Sequence, residues 1–152
     1  MLIGVISDTH GLLRPQAEDA LRGSTLIVHA GDVGDPAVLD RLRRIAPTIA
    51  VRGNIDTGKW AEMLPMTDVV QVGAVQIYVL HDLSRLDLDP KAAGFAAVVF
   101  GHSHRPSAEC TDGVLYLNPG SAGPRRFTLP IALARLRVVG DVLSHEIVAL
   151  QI

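Results

Sequence analysis

Aromatic residues are scarce in this chain of 152 residues, where Phe, Trp and Tyr together make up only 4%. Proteins that bind single-stranded nucleic acid stack bases on aromatic side chains, so the composition gives this class little support. The formal net charge of −2 also leaves no broad basic face for the phosphates of a long polymer. We therefore expect a core of Val, Leu, Ile and Ala, and no long nucleic-acid partner.

Cysteine is almost absent as well. Cys110 is the only one, which excludes an intrachain disulfide and favours a reducing compartment. The apolar start of the chain has no basic region like that of a signal peptide, and no apolar run approaches the ~20 residues of a membrane span. The sequence therefore predicts a cytoplasmic protein without a membrane partner, in which Cys110 is an inert residue of a hairpin strand.

Hydrophobic residues make up 48% of the chain and charged residues 20%, as in ordinary globular proteins, and the length fits a single domain over residues 1–152. Strands are predicted at 2–6, 25–29 and 49–51, with helices at 14–21 and from Asp35-Pro36 onward. The second half predicts a strand at 96–100 and three hairpins, whose turns lie at 73–74, 111–113 and 140–141. This pattern indicates an α/β fold whose sheet becomes antiparallel toward the C-terminus.

Polar residues follow the apolar strands at six places. The segments are Ser7-Asp8-Thr9-His10, Ala30-Gly31-Asp32, Gly53-Asn54-Ile55-Asp56, Leu80-His81-Asp82, Gly101-His102-Ser103-His104 and Asn118-Pro119-Gly120-Ser121. Ligand sites of open α/β sheets form at the carboxyl ends of strands. Imidazole, carboxylate and amide donors without a thiolate argue against a structural zinc site. Seven potential ligands exceed what one ion with an open position needs, and they suit two ions bridged by a carboxylate.

The ordered motifs resemble those of calcineurin-like metallophosphoesterases, and most of all their small single-domain bacterial and archaeal branch. The matching segments are Asp8-x-His10, Gly31-Asp32, Gly53-Asn54-x-Asp56, His81 and Gly101-His102-x-His104. The resemblance implies a two-sheet α/β sandwich flanked by helices, with the metals at the strand ends. It also implies the ligand roles: Asp8, His10 and His104 for a first ion, Asp32 as the bridge, and Asn54, His81 and His102 for a second.

The activity that the resemblance implies is metal-dependent hydrolysis of a phosphoester, with a diester favoured, in which a hydroxide bridging two divalent ions attacks phosphorus in line. Manganese is the preferred ion, and iron, nickel, zinc and cobalt suit the same donors. Two other functions are kept as alternatives. A non-catalytic scaffold, like the retromer-coat subunit of this fold, would be expected to have lost ligands. A metal-dependent nuclease would be expected to carry a basic track.

One position departs from the larger relatives, which have a histidine that is thought to protonate the leaving group. This chain has Ile55 there, so the proton donor is unassigned and Asp56 is the candidate. Asn118, Arg125 and Arg126 are candidates for substrate contacts, since an arginine fork binds phosphate well. The resemblance also implies that the loop 118–121 lies close to the metals and supports their ligands. The expected partner is a small phosphoester, and a homo-oligomer is compatible with the sequence.

Two histidines lie outside the motifs. His29 falls inside an apolar strand and His145 in the last predicted strand, so we expect a structural role for the first and no link to the site for the second.

Overall fold

A computed structural model of the chain describes residues 1–152 and contains ten strands, three α-helices and one short 3-10 helix. In chain order the elements are β1 (Leu2–Ile6), α1 (Pro15–Leu21), β2 (Leu26–His29), α2 (Pro36–Arg43), β3 (Thr48–Ala50), α3 (Lys59–Glu62), β4 (Thr67–Val72), β5 (Val75–Leu80), the 3-10 helix (Leu83–Arg85), β6 (Ala97–Val99), β7 (Ser107–Thr111), β8 (Val114–Asn118), β9 (Ala132–Val139) and β10 (Val142–Ala149).

The strands form two mixed sheets of five strands each. The first has the order β10-β9-β1-β2-β3 and the second the order β4-β5-β6-β8-β7. In the first sheet, β1, β2 and β3 are parallel and the β9–β10 hairpin adds antiparallel strands beside β1. In the second, β5, β6 and β8 are parallel, and β4 and β7 are antiparallel neighbours. Each sheet therefore has a parallel centre whose strands end at one edge.

Burial of apolar side chains explains how the layers pack. Val, Ile, Leu and Ala from both sheets fill the space between them, as Val5 and Leu117 illustrate. A second cluster lies between the first sheet and helices α1 and α2, where Leu21 and Leu42 pack against Ile27. The outer face of the second sheet has no α-helix and carries a small cluster around Tyr78. The α/β sandwich that the resemblance implied is confirmed, with α1 and α2 packed on the first sheet.

The predicted helix start at Asp35 is also confirmed. The Asp35 carboxylate accepts a hydrogen bond from the backbone N–H of Ala37 at 2.8 Å, and Pro36 occupies the first helical turn. Helix α2 ends at Arg43, before Pro47. The sequence did not predict α3 or the 3-10 helix, because each has only one turn and no apolar periodicity. None of the helices has the length and hydropathy that a transmembrane span requires.

The residues alone suggested one sheet that becomes antiparallel, and the structure refines this picture. All three predicted hairpins are present, but they are distributed over both sheets, and β5, β6 and β8 are parallel. Turn composition identifies a hairpin from neighbouring residues, whereas the partner of a lone strand such as β6 depends on distant segments. The parallel run was therefore not accessible from local patterns.

Candidate metal centre

The carboxyl ends of the two parallel runs meet at one edge of the sandwich. The first sheet brings Asp8, Asp32 and Asn54 after β1, β2 and β3, and the second brings His81 after β5 and the 102–104 segment after β6. Hydrogen bonds join the two edges, since the backbone N–H of His102 donates to Asp8 Oδ2 at 3.2 Å. All seven predicted ligand positions lie in this region.

The first group of candidate ligands, here called group one, contains Asp8, His10 and His104, whose donor atoms lie within 4.8 Å of one another. His104 Nε2 is 3.3 Å and His10 Nε2 is 3.9 Å from Asp8 Oδ1. Asp8 is fully buried and its Oδ2 accepts a hydrogen bond from the Ser7 hydroxyl at 2.6 Å. Ser7 therefore fixes one carboxylate oxygen and leaves Oδ1 facing the two imidazoles.

The second group, group two, contains Asp32, His81 and His102, also with donor atoms within 4.8 Å. His81 Nε2 lies 3.3 Å from Asp32 Oδ2, and its Nδ1 lies 2.8 Å from the carbonyl oxygen of Ala30. The proton of that imidazole is thus held on Nδ1, which leaves the Nε2 lone pair facing the site. One terminal atom of the Asn54 carboxamide lies 3.2 Å from both Asp32 oxygens and from His81 Nε2.

Asp32 connects the two groups. Its Oδ2 is 3.3 Å from His81 Nε2 in group two and 3.5 Å from His10 Nε2 in group one. Its Oδ1 accepts a hydrogen bond from the backbone N–H of Ile55 at 3.1 Å. One carboxylate oxygen is therefore within reach of both groups, which is the arrangement that a bridging ligand requires.

The donor set fits divalent cations. Asp8 Oδ1 and His10 Nε2 are buried without a hydrogen-bond partner, although both face other polar atoms of the cluster. Such orphaned buried atoms are rare in proteins. With its oxygen toward Asp32 and His81, Asn54 would present an acceptor to acceptors, an arrangement that a cation between them would satisfy. Imidazole nitrogens and carboxylate or amide oxygens are ligands of Mn, Fe, Zn and related ions.

Backbone conformation at the site is strained. Five candidate ligands adopt positive φ, namely Asp8, His10, Asp32, His102 and His104, out of seven such non-glycine residues in the chain. Non-glycine residues rarely adopt the left-handed region, and such strain clusters at functional sites. A Cβ on Gly53 would collide with the backbone nitrogen and Oδ1 of Asp32, so glycine permits the close approach of this loop.

The charges of the cluster shift its pKa values. Burial alone would raise the pKa of Asp8, but neighbouring His104 and the hydrogen bond from Ser7 outweigh it and lower the pKa below its ordinary value. Burial would also raise the pKa of Asp32, and its interaction with His81 lowers it instead. Against the opposing effect of burial, these carboxylates raise the pKa of His81. The site is a focus of negative charge that attracts a cation.

His29 is a buried support for group one, because it contacts Thr9, the residue between Asp8 and His10. Its Nδ1 accepts a hydrogen bond from the Gly31 N–H at 3.1 Å, and its Nε2 lies 2.9 Å from the Thr9 hydroxyl. Thr9 in turn donates to the carbonyl oxygen of Val33 at 2.9 Å. Complete burial lowers the pKa of His29 to about 4, so the neutral ring is retained at neutral pH. The structural role expected for His29 agrees with these contacts, and exposed His145 lies on β10.

Asp56, the candidate proton donor, has a different environment from the one expected. Its two oxygens accept hydrogen bonds from the backbone N–H groups of Gly53, Val33 and Gly34 at 2.8, 3.2 and 2.9 Å. Because the buried carboxylate is occupied by three donors, it ties the Asp32 loop to the Asn54 loop. This geometry does not support a role for Asp56 in proton donation.

Asn118 is likewise a buried support for the site. Its Nδ2 donates to the carbonyl oxygen of Gly101 and to the Ser103 hydroxyl, both at 3.1 Å, and its Oδ1 accepts from the Gly120 N–H at 2.9 Å. It therefore holds the segment that carries His102 and His104, and its amide has no group free for a substrate. We correct the expected substrate contact accordingly.

The main cleft of the molecule opens from group two and has a volume of about 580 Å³. Asn54, His81 and His102 line it together with their motif neighbours Gly53, Leu80 and Asp82. The other lining residues lie outside the motifs and are Arg52, Met66, Thr67, Tyr78, Arg85 and Asp87. Arg125 and Arg126 do not line this cleft, and Arg125 donates to the carbonyl oxygen of Leu129 at 3.2 Å. Arg52 does line the cleft. Its position directly before the Gly53-Asn54 motif is the feature of the sequence that could have identified it as a residue of the site.

Comparisons with known proteins agree with this geometry. Residues 1–141 match the calcineurin-like phosphoesterase superfamily domain. A probable metallophosphoesterase from Methanothermobacter thermautotrophicus is 34% identical over 160 residues, which cover 97% of this chain and 92% of the relative. A phosphodiesterase from Methanocaldococcus jannaschii is 27% identical over 139 residues, or 79% of this chain and 83% of that protein.

The fold is also found among solved structures. Wild-type Vps29 from Entamoeba histolytica, complexed with Zn²⁺, superposes with a TM-score of 0.75 at 23% identity, over 98% of this chain and 99% of that one. At this level of identity the likeness establishes the fold.

Proposed function

Since the chain belongs to the calcineurin-like phosphoesterase superfamily, we propose that it is a phosphodiesterase that works with two divalent metal ions. The observation that carries the proposal is the position of Asp32, whose Oδ2 lies 3.5 Å from an imidazole nitrogen of group one and 3.3 Å from one of group two. A site for a single ion would have no use for the second set of donors.

The chain's own residues hold the site in place. Asp8, His10 and His104 would hold one ion, Asn54, His81 and His102 the other, and Asp32 would contact both. When bound, the two ions would lower the pKa of water to give a nucleophile near neutral pH and would offset the charge of the phosphoryl group. Ser7, Asn118 and Asp56 would act by fixing the ligands or their loops before substrate arrives.

Manganese is our proposed ion. The donor set mixes four imidazoles with two carboxylates and one amide and contains no thiolate, which suits manganese and leaves iron, nickel, zinc and cobalt as competitors. The Zn²⁺ bound by the E. histolytica Vps29 is of the same divalent class. A small substrate is proposed because the net charge of −2 offers no track for a polymer.

Metal analysis combined with hydrolysis assays tests the proposal. The purified protein should contain about two transition-metal ions per chain, lose activity toward bis(4-nitrophenyl) phosphate after chelation, and regain it with Mn²⁺. The monoester 4-nitrophenyl phosphate should react more slowly. Asp32→Asn is the matched variant, because it removes one negative charge and preserves the size of the side chain. It should lose most of the diester hydrolysis of the wild-type protein.

Two results would overturn the proposal. Diester hydrolysis that survives chelation in protein without metal would exclude the metal-dependent mechanism. Full metal content without hydrolysis of any phosphoester would instead favour the scaffold interpretation, since binding alone does not require a substrate.

A further inference from the structure

The cleft beside group two has a distinct chemical character. It lies on the outer side of the second sheet, where Tyr78 and Leu80 of β5 line it together with Met66. Because Asn54, His81 and His102 are among its lining residues, the cleft is the space beside group two that an ester group of a bound phosphodiester would occupy. A volume of about 580 Å³ is within the range of sites that bind molecules of drug or nucleotide size.

Arg52 is the unusual residue of this cleft. Its side chain is half-buried, and its Nε donates a hydrogen bond to the carbonyl oxygen of Ala61 at 3.0 Å. The backbone N–H of Arg52 is held as well, by the carbonyl oxygen of Pro65 at 2.8 Å. The guanidinium is therefore anchored in one orientation, and its two terminal nitrogens keep their donors for other partners.

Arg52 forms no ion pair within 4.0 Å, although Asp82 and Asp87 also line the cleft. The ion pairs of the chain's arginines involve Arg22, Arg41, Arg43, Arg85 and Arg135. Arg85 also lines the cleft, but its side chain is 77% exposed and lies 4.0 Å from Asp82, so solvent and that carboxylate reduce its influence. An anchored, half-buried guanidinium without a partner is the better recognition group for an anion.

We propose that the cleft binds the retained ester group of the phosphodiester and that Arg52 selects substrates in which this group carries a second anionic group, such as a further phosphate. This proposal rests on the proposed phosphodiesterase function. Arg52 is a specificity-determining residue here, and it has no part in the attack on phosphorus. The substrate class is therefore a nucleotide-sized diester with an additional negative charge.

A matched pair of substrates tests the proposal. The 4-nitrophenyl ester of thymidine 5′-phosphate is compared with the same ester carrying a 3′-phosphate, so that both release 4-nitrophenolate and differ by one anion. For the wild-type protein with Mn²⁺ we expect kcat/KM to be about tenfold higher for the substrate with the 3′-phosphate, because its KM is lower. Arg52→Gln should reduce the preference to about one at an unchanged kcat, and Arg52→Lys should retain about a third of it.

Arg137→Gln is the control variant. Arg137 is an exposed arginine of β9 opposite Leu2, at the start of β1 and therefore at the end of the sheet away from the site. Its replacement removes the same charge and should preserve the tenfold preference. If Arg137→Gln reduces the preference as much as Arg52→Gln, the effect is one of overall charge and the proposal is wrong.

A binding measurement separates this proposal from the proposed activity. Calorimetry compares thymidine 3′,5′-bisphosphate with thymidine 5′-phosphate on the same variants. Hydrolysis of both esters at equal rates by the wild-type protein would overturn the Arg52 assignment and preserve the phosphodiesterase function. Arg52-dependent binding of the bisphosphate without hydrolysis of any diester would support the Arg52 assignment and overturn the phosphodiesterase function. If the protein shows no preference for the bisphosphate and hydrolyses no diester, both proposals are wrong.

Discussion

Group one and group two share the Asp32 carboxylate but differ in their surroundings. In group one, Asp8 is fully buried and is fixed by Ser7, and the neutral His29 lies beneath it. In group two, Asn54 and His102 are exposed and face the cleft. If two ions bind as proposed, group one would hold its ion more firmly and group two would be the side that substrate approaches.

The largest effect is expected where the two groups meet. Asp32→Asn should reduce diester hydrolysis by about 10³-fold, equivalent to about 4 kcal/mol, since the bridging charge serves both groups. Asn54→Ala affects group two alone and should reduce hydrolysis by about 10–100-fold, with partial rescue by excess Mn²⁺. Elemental analysis and steady-state kinetics on both variants check the expectation. Near-normal turnover and metal content in Asp32→Asn would contradict the shared role.

The second prediction concerns Ile55, which follows the candidate ligand Asn54. Ile55 is 40% exposed, and its backbone N–H donates a hydrogen bond to Asp32 Oδ1. An aliphatic side chain cannot protonate a leaving group, so hydrolysis should depend strongly on the acidity of the leaving group. Since a positioned general acid contributes roughly 10²–10⁴-fold, Ile55→His should accelerate alkyl diesters by about 10²-fold and aryl diesters far less.

A series of diesters with graded leaving-group pKa, assayed in the wild-type protein and in Ile55→His, measures this effect. Ile55→Gln is the matched control, because it places a polar side chain there without an acid. The same shallow dependence in all three proteins would mean that another residue already supplies the proton.

The third prediction concerns the support beneath group one. Burial lowers the pKa of His29 from 6.5 to about 4, so the unfolded chain binds more protons than the folded protein between these values. The contribution of neutral His29 to stability is therefore present near pH 7 and is lost as the pH falls. Between pH 7 and pH 5 the loss should be about 2 kcal/mol.

Chemical denaturation of metal-free protein at the two pH values measures the change in the free energy of unfolding. His29→Gln should remove the component of about 2 kcal/mol, while His145→Gln, at an exposed histidine, should retain it. An equal pH dependence of His29→Gln and the wild-type protein would exclude His29 as its source.

Much of the fold could be predicted from the sequence because the signals were local. The Asp35-Pro36 start of α2 and the three hairpin turns depend on residues next to one another. The pairing of β9 with β1 joins segments more than a hundred residues apart and has no local signature. Two separate sheets were expected from the resemblance, since periodicity alone could not assign strands to sheets.

The candidate site shows the same limit. Strand ends followed by Asp, Asn or His indicated which residues would gather, because parallel strands bring their carboxyl ends to one edge. The role of Asp56 was not predictable, because the sequence does not show whether a polar side chain beside a site contacts substrate or backbone. For Asn118 the resemblance implied a supporting role, and a substrate contact was an alternative. Only the hydrogen bonds to Gly53 and Gly101 identify both as supports.

The smallest effect is expected at Arg125 and Arg126, which sequence analysis made candidates for phosphate contacts. They follow Gly123, which lies against the backbone carbonyl groups of Asp8 and Thr9 and therefore on the group-one side, and neither arginine lines the cleft. Because both are exposed, solvent screens their charge. The double variant Arg125→Gln/Arg126→Gln should therefore change kcat/KM for bis(4-nitrophenyl) phosphate by less than about twofold. A tenfold loss would mean that substrate is approached from group one as well, and the division between the groups would not hold.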